Sequence, residues 1–282
     1  QAWKPVTVFL NGQYWGHMNL RERVDRFFIA QFEGLPLDQA DEMDILEANG
    51  TVNFGSNKAY RAMLKKIKAG SPATNPDDLQ YILDNVDVDN LFEYMALEMF
   101  VGNSDIGNIR YYRLHQEGSK WKWIWYDADY GLYSSKFNSP WSYLKVKGMG
   151  EQKIDNTIFL KLLEHPDYKR KFLEKLADVY KTFTTEYMTQ VLDGVVAEIQ
   201  PEMKNHWERW GELNDKAVTS EVPTTIDGAY TYWESRVNRL YNTLKVRPHR
   251  LWDFIKDEFK LTKTEMEELF GPQPDYPDDA VL

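Results

Sequence analysis

The chain carries NSDIGNIRYYRLH at residues 103–115 and KWKWIWYDADYG at residues 120–131. Aromatic and β-branched residues dominate the middle of both stretches, and such residues favour strands. The residues between them, QEGS at 116–119, are typical of a turn. The sequence therefore predicts a β-hairpin in which Ile109 lies near Tyr126.

Four residues just outside the paired strands carry the chemistry. Asp105 and Asn108 precede the first strand, and Asp127 and Asp129 follow the second. The hairpin brings them to one open end, where directly opposed residues lie about 5 Å apart. If the second strand continues, Asp127 and Asp129 also point to the same face, because side chains alternate along a strand.

Carboxylates that crowd together repel one another unless a cation neutralises them. For a set of Asp and Asn side chains the usual cation is a hard one such as Mg²⁺, which also binds phosphate oxygens. Asp and Asn are common in turns and at strand ends, so each residue alone fits a purely local role. Their presence on both strands at the same end favours a metal site, because the stability of a hairpin does not require it.

The order of several motifs resembles one known family. Residues 11–22, NGQYWGHMNLRE, combine an Asn-Gly turn with a Gly-x-x-x-Leu-x-Glu pattern. Residues 103–108 then give an Asn-x-Asp pattern followed by a second Asn, and residues 125–131 give a Trp-x-Asp-x-Asp-x-Gly pattern. Arg247-Pro248 follows late in the chain. In this order and spacing, the motifs resemble the spore-coat CotH kinase family over nearly the whole chain.

The resemblance implies an α+β fold of the atypical protein-kinase type. A truncated small β lobe would be followed by a mostly helical large lobe with a catalytic β-hairpin. The implied activity is transfer of a phosphoryl group from ATP to Ser or Thr hydroxyls of a protein substrate.

The resemblance also implies roles for individual residues. Asp105 would be the catalytic base, and Mg²⁺ or Mn²⁺ would be held by Asn108, Asp127 and Asp129. In typical protein kinases the asparagine follows the catalytic aspartate by five residues, whereas here it follows by three. The residues that would face the adenine of ATP are Leu20, Arg21 and Glu22.

The domain organisation follows from the same comparison. Residues 1–22 would be a remnant of the small lobe with the hinge, residues 23–270 the large lobe, and residues 271–282 a disordered Pro/Asp tail. A kinase small lobe normally carries a Gly-rich strand pair and a lysine ahead of the hinge. Only one strand, at residues 4–10, precedes the Asn-Gly turn. We therefore expect residues 1–282 to bind ATP weakly and to show little activity.

Local patterns predict the remaining elements. Residues 4–10 and 14–20 alternate about Asn11-Gly12, the preferred type I′ turn of a hairpin. The polar residues 38–54 are predicted to form a loop, and residues 132–150 either a substrate-positioning segment or a surface loop. Apolar spacing predicts helices at residues 23–32, 57–68, 87–100, 157–163, 166–183, 185–210 with an interruption near Pro201, 227–246 and 248–258. One more helix is predicted to start at Pro76, and a capping box is predicted at residues 262–265.

Composition excludes several classes of function. The net charge of −10 argues against nucleic acid or an anionic membrane as the main partner, because both require clustered cations. The chain has no cysteine, which excludes disulfides and cysteine-based zinc sites. No apolar run is long enough for a transmembrane segment. The resemblance implies export to a bacterial cell surface or periplasm, and a cytoplasmic location stays open.

Two rival functions fit the same residues. One is a non-catalytic pseudokinase or surface-binding module, carbohydrate-associated through its many aromatic residues. The other is a carbohydrate hydrolase that uses Asp105 with Asp127 or Asp129 as acid and base. The hydrolase would need no metal, but its carboxylates must be about 5 to 9 Å apart with space for a sugar between them.

Overall fold

The computed structural model describes residues 2–145, 154–210 and 225–278. Its elements, in chain order, are strands β1 (Trp3–Leu10) and β2 (Gln13–Arg21), helix α1 (Arg26–Phe32), a 3-10 turn (Leu37–Gln39), strands β3 (Met43–Glu47) and β4 (Thr51–Phe54), helices α2 (Lys58–Ala69), α3 (Pro76–Asn85) and α4 (Val88–Val101), strands β5 (Arg110–Leu114) and β6 (Lys122–Ile124), and helices α5 (Ser139–Tyr143), α6 (Thr157–Leu163), α7 (Pro166–Thr182), α8 (Thr185–Trp210), α9 (Ile226–Phe259) and α10 (Lys263–Phe270). The fold is of the α+β class. None of the described helices is long and apolar enough to cross a membrane.

The chain divides into two compact units. The first comprises residues 1–23, 184–245 and 277–282, and the second comprises residues 24–183 and 246–276. The amino-terminal hairpin thus groups with α8 and most of α9, whereas the sequence analysis assigned those helices to the large lobe. Long-range packing of β2 on α8, described below, is the physical reason for this grouping.

The hairpin of the first unit confirms the predicted type I′ turn. Asn11 and Gly12 have φ values of 50° and 78°, the positive pair that this turn requires. Strands β1 and β2 are antiparallel, with Leu10 opposite Gln13. The register shifts between Val8 and Phe9, and this bulge presents β2 to α8.

Two hydrogen bonds attach β2 to α8. The indole N–H of Trp210 donates to Trp15 O at 2.7 Å, and the backbone N–H of His17 donates to His206 Nδ1 at 3.2 Å. Gly16, between them, has φ 123°, and a Cβ at this position would lie 2.7 Å from Trp210 Nε1. The strand therefore approaches the helix closely because residue 16 has no side chain.

Replacing Gly16 with alanine is expected to destabilise the first unit. Alanine would be strained by the positive φ at this position, and its methyl group would clash with the Trp210 ring. We expect the clash to lower the free energy of unfolding by roughly 1–3 kcal/mol, in addition to the cost of the backbone strain. Gly12→Ala is the matched control, because Gly12 also has a positive φ but no atom within 4 Å of its added Cβ. Urea unfolding measures both, and equal losses for the two variants would contradict the close approach.

His206 makes the stability of the first unit depend on pH. Burial lowers the pKa of His206 below its ordinary value of 6.5, and His17 adds to this effect while Glu202 opposes it. Protonation of Nδ1 would also remove the acceptor for the His17 N–H. The unfolded chain therefore binds this proton more readily than the folded protein does. The contribution of neutral His206 to stability is complete above its ordinary pKa and is lost as the pH falls below about 6.5.

We expect the melting temperature of the wild type to fall between pH 7.5 and pH 5.5, and His206→Asn to reduce that fall. Asparagine places an acceptor near the position of Nδ1 but does not titrate. His165→Asn controls for the loss of one histidine, since His165 Nδ1 accepts a backbone N–H at the start of α7. An unchanged pH dependence in His206→Asn would refute this assignment.

The second unit is built on a four-stranded sheet. All neighbouring strands are antiparallel, in the order β4-β3-β5-β6. One face carries Ile45 and Tyr112 against α1, and the other packs Leu46 and Tyr111 into the main helical core. The predicted loop at residues 38–54 is therefore wrong, because residues 43–46 are buried by pairing with a strand that is distant in sequence.

Helix α4 runs through the middle of this core. Ten of its residues are buried, from Val88 to Val101, and Phe92 packs against Phe159 and Phe172 at 6.1 and 5.4 Å between ring centres. Asp87 caps its first turn by accepting the Asn90 N–H. The prediction of a buried helix leading to Asn103 is confirmed.

Two predictions about the carboxyl-terminal part are wrong. The predicted break at Pro248 is absent, and α9 is continuous because the carbonyl of Leu244, which proline leaves without its helical partner, accepts the Thr185 hydroxyl at 3.1 Å. The tail is not free over residues 271–276, since Gly271 O accepts the Trp252 indole N–H at 3.1 Å. The capping box of Thr262 and Glu265 is confirmed.

Candidate active site

A polar cluster forms in the second unit, where the loop after α4 meets the chain that leaves β6. The side-chain Nδ2 of Asn108 donates to Asp105 Oδ2 and to Asp127 Oδ2, each at 2.9 Å. Because both oxygens contact one nitrogen, they lie no more than about 6 Å apart. Three of the four residues singled out in the sequence thus meet at one point.

The hairpin exists, but its register differs from the predicted one. Arg110 pairs with Ile124 and Tyr111 with Trp123, so the register differs by one residue from one that sets Ile109 directly opposite Tyr126. The rings of Tyr111 and Trp123 stack at 5.6 Å on the buried face. Burial fixes the register, because a slip by one residue would turn both rings toward the opposite face.

The end of α4 positions Asp105. Gly102 ends the helix in the left-handed conformation, with φ 65°. Asn103 follows and is 1% exposed, and its Oδ1 accepts the Asp105 N–H at 3.1 Å. Asp105 is therefore held by a buried side chain two residues before it.

A buried carboxyl group supports this arrangement. Glu98, in the last turn of α4, is 1% exposed and accepts the Tyr143 hydroxyl at 2.8 Å. Burial raises the pKa of Glu98, and hydrogen bonds from Tyr143, Asn103 and other neighbours oppose this rise. Glu98 thereby ties α5 to Asn103 and through it to the Asp105 loop.

A buried cation holds the same helix end from the other side. Arg247 is 2% exposed and donates to Phe100 O at 2.7 Å, Met99 O at 2.9 Å and Phe137 O at 3.1 Å. Burial lowers its pKa to about 10, so the group remains charged at neutral pH. The last carbonyls of α4 and the helix dipole offset that charge in place of a carboxylate.

Strand β6 does not extend to Asp127 and Asp129. Strand β6 ends at Ile124, and Asp127 has φ 55°, a left-handed conformation that turns the chain. Asp129 is exposed and has no hydrogen bond or ion pair to any described residue. The role of Asp129 in the cluster stays a prediction, because the strand that would set it on the face of Asp127 ends before both residues.

The donor set of the cluster fits Mg²⁺. The described residues contain no group of three acidic or histidine side chains at metal distance. Mg²⁺ does not require one, because it is usually held by one or two carboxylates together with water and substrate phosphates. Asp105, Asn108 and Asp127 offer hard oxygen ligands, provided that the Asn108 amide rotates to present its oxygen in place of its nitrogen.

Arg110 supplies a cation next to the cluster. Its guanidinium lies 4.9 Å from the centre of the Tyr126 ring and forms an ion pair with Glu47 at 3.2 Å. It also donates to the carbonyl of Val24. Burial raises the pKa of Tyr126, an effect that Arg110 opposes and Asp127 reinforces.

The predicted adenine-facing residues belong to the first unit. Leu20, Arg21 and Glu22 are exposed, and Leu20 lies opposite Lys4 in the hairpin. The Glu22 carboxylate accepts the backbone N–H of Ala2. Their role at a nucleotide stays a prediction.

Sequence reasoning missed the buried supports of the site. Glu98 and Arg247 were not assigned to the cluster, although an acidic residue within the apolar run of α4 was a usable signal. Arg247 was noted only as part of the Arg247-Pro248 motif, and its carbonyl partners could not be predicted because they lie more than a hundred residues away in sequence. Residues 146–150 of the predicted substrate-positioning segment lie outside the described residues.

The same geometry disfavours the hydrolase. Asp105 and Asp127 lie within the distance that a glycosidase uses, but the amide of Asn108 bridges them directly. A glycosidic bond between the carboxylates would require that amide to leave. The cluster is better suited to ions and phosphate than to a sugar ring.

Comparison with known proteins agrees with the order of the motifs. None of the curated proteins matches the chain. A family model described as CotH kinase protein matches residues 1–251, which include Asp105, Asn108, Asp127 and Arg247. Since the match spans most of the chain, the protein belongs to the CotH kinase family.

Proposed function

We propose that the protein transfers a phosphoryl group from ATP to Ser or Thr hydroxyls of a protein, using an atypical kinase-like fold. The observation that carries the proposal is the contact of Asn108 with both Asp105 and Asp127, residues that come from two separate segments. Membership of the CotH kinase family supports the reaction class. Mg²⁺ or Mn²⁺ and ATP are the cofactors that this chemistry requires.

Each residue of the cluster has a separate task in this proposal. Asp105 orients the attacking hydroxyl and accepts its proton, since Asn103 accepts its backbone N–H and Asn108 donates to its carboxylate. Asp127 and Asn108 hold the metal, which neutralises the phosphate charge. Asp129 is a further metal ligand in this proposal.

The remaining parts of the proposal concern binding and location. As the resemblance to kinases implies, Leu20, Arg21 and Glu22 would face the adenine. Arg110, whose guanidinium lies 4.9 Å from the centre of the Tyr126 ring, would provide a cation beside the residue that precedes Asp127. Because the net charge is −10, the site must concentrate its cations or its metal to admit a nucleotide. A role at a bacterial cell surface fits the spore-coat association of the family.

The test is incubation with labelled ATP, Mg²⁺ or Mn²⁺ and a mixture of proteins. We expect weak labelling of protein hydroxyls with the wild type, because only one strand precedes the Asn11-Gly12 turn, and none with Asp105→Asn. Asp38→Asn is the matched control, because Asp38 is an exposed carboxylate in the 3-10 turn. Equal incorporation by wild type and Asp105→Asn would refute the proposal.

A second candidate function is a non-catalytic binding module. Its supporting observation is a set of exposed rings in the second unit, among them Trp125, Tyr130, Tyr133 and Trp141, which are 39–54% exposed. Tyr130 and Tyr133 contact each other at 5.9 Å between ring centres. A protein that binds a carbohydrate or peptide through these rings, and shows no nucleotide-dependent thermal shift, would favour this function.

A further inference from the structure

A cavity of about 320 Å³ lies within the second unit. Helices α2, α4 and α6 contribute to its wall, with Leu64, Met95 and Phe159 among the apolar side chains that line it. Asp105, Asn108 and Asp127 do not line it. The cavity is therefore distinct from the candidate active site.

The polar side chains at the cavity form one group. Lys68 Nζ contacts Asp155 Oδ2, and the Asp155 N–H donates to Asn49 Oδ1 at 2.9 Å. The other carboxylate oxygen of Asp155 accepts the Thr157 N–H at 3.0 Å. Both Asp155 oxygens thus accept hydrogen bonds. The Lys68 side chain is 48% exposed, and its ammonium group has three N–H donors, so it can donate to a second acceptor.

We propose that this cavity binds a single-chain aliphatic carboxylate of about ten carbons. The volume corresponds to about ten groups of the size of a water or methylene. The alkyl chain of the ligand would fill the apolar part of the cavity, because the side chains that line empty space lack van der Waals contacts on that side. The carboxylate of the ligand would accept hydrogen bonds from the remaining N–H donors of Lys68. The lining residues therefore suit a ligand with an apolar body and one charged end.

A ligand in this cavity would also touch the support of the candidate active site. Ile106 and Ile109 line the cavity and flank Asn108 in the chain. Tyr143, another lining residue, donates its hydroxyl to Glu98. The binding site itself does not rest on the proposed phosphoryl transfer, and it can be tested without nucleotide.

The experiment is calorimetric titration of the full chain with decanoate, decanol and butyrate. We expect saturable binding of decanoate at one site, and binding of butyrate at least ~100-fold weaker because each lost methylene removes buried apolar area. Lys68→Met should weaken decanoate about 10-fold and leave decanol unchanged. Lys65→Met is the matched control, an exposed lysine on the same helix, and should bind decanoate as the wild type does.

Filling the cavity tests its location. Leu64→Trp and Met95→Phe both add side-chain volume at lining positions, so a folded form of either variant should lose decanoate binding. Retained wild-type affinity in a variant that keeps its circular dichroism spectrum would overturn the site. Absence of saturable heat with decanoate would overturn the proposal, and equal affinity for decanol in the wild type would overturn the role of Lys68. A failed kinase assay would change none of these results.

Discussion

Asp127→Ala is expected to abolish Mg²⁺-dependent binding of ATP, whereas Asp105→Asn is expected to retain that binding and lose transfer. The two side chains touch the same amide, but their proposed tasks differ. A metal ligand holds the phosphates, whose charge must be neutralised before they enter an acidic site. A general base acts only on the hydroxyl, and its loss lowers the turnover by about 10²–10⁴.

Calorimetry with Mg-ATP and a phosphate-transfer assay separate the two effects. Asp38→Asn controls for removal of an exposed carboxylate and should leave both readouts unchanged. Asp129→Asn reports whether the exposed aspartate contributes, and the structure leads us to expect a smaller loss of affinity than for Asp127→Ala. Equal loss of nucleotide affinity in Asp105→Asn and Asp127→Ala would refute the division of roles.

Arg247→Met is expected to lower the free energy of unfolding by about 3–5 kcal/mol. The substitution keeps an apolar stem but leaves the carbonyls of Met99, Phe100 and Phe137 without their charged donor. Burial of those carbonyls without a partner is costly, and the α4 helix end loses the cation that offsets its dipole. Arg247→Lys should cost less, because it keeps the charge but not the planar fork that reaches several carbonyls.

Arg170→Met is the control for loss of an arginine at the surface. Arg170 pairs with Glu174 at 2.7 Å on α7, with both side chains more than half exposed, so its loss should cost less than about 1 kcal/mol. Chemical unfolding of the second unit measures all three variants. Similar losses for Arg247→Met and Arg170→Met would show that Arg247 does not clamp the end of α4.

The sequence by itself determined the local features of this protein. The Asn11-Gly12 turn, the cap of α4 at Asp87 and the β5–β6 hairpin all follow from residues that lie close together in the chain. The predicted hairpin also placed Asp105, Asn108 and Asp127 at its open end, where the structure brings them into contact. These predictions succeeded because turn chemistry, capping and strand propensity act over a few residues.

Tertiary structure alone decided which residues complete the site. Strand β6 ends before Asp127, and Asp127 turns the chain with a positive φ that no alternating pattern reveals. The placement of residues 43–47 as a central strand depended on pairing with β5, far away in sequence. Arg247 and Glu98 act on the Asp105 loop through contacts within a folded core, and the energy of such contacts exists only once distant segments have been packed together.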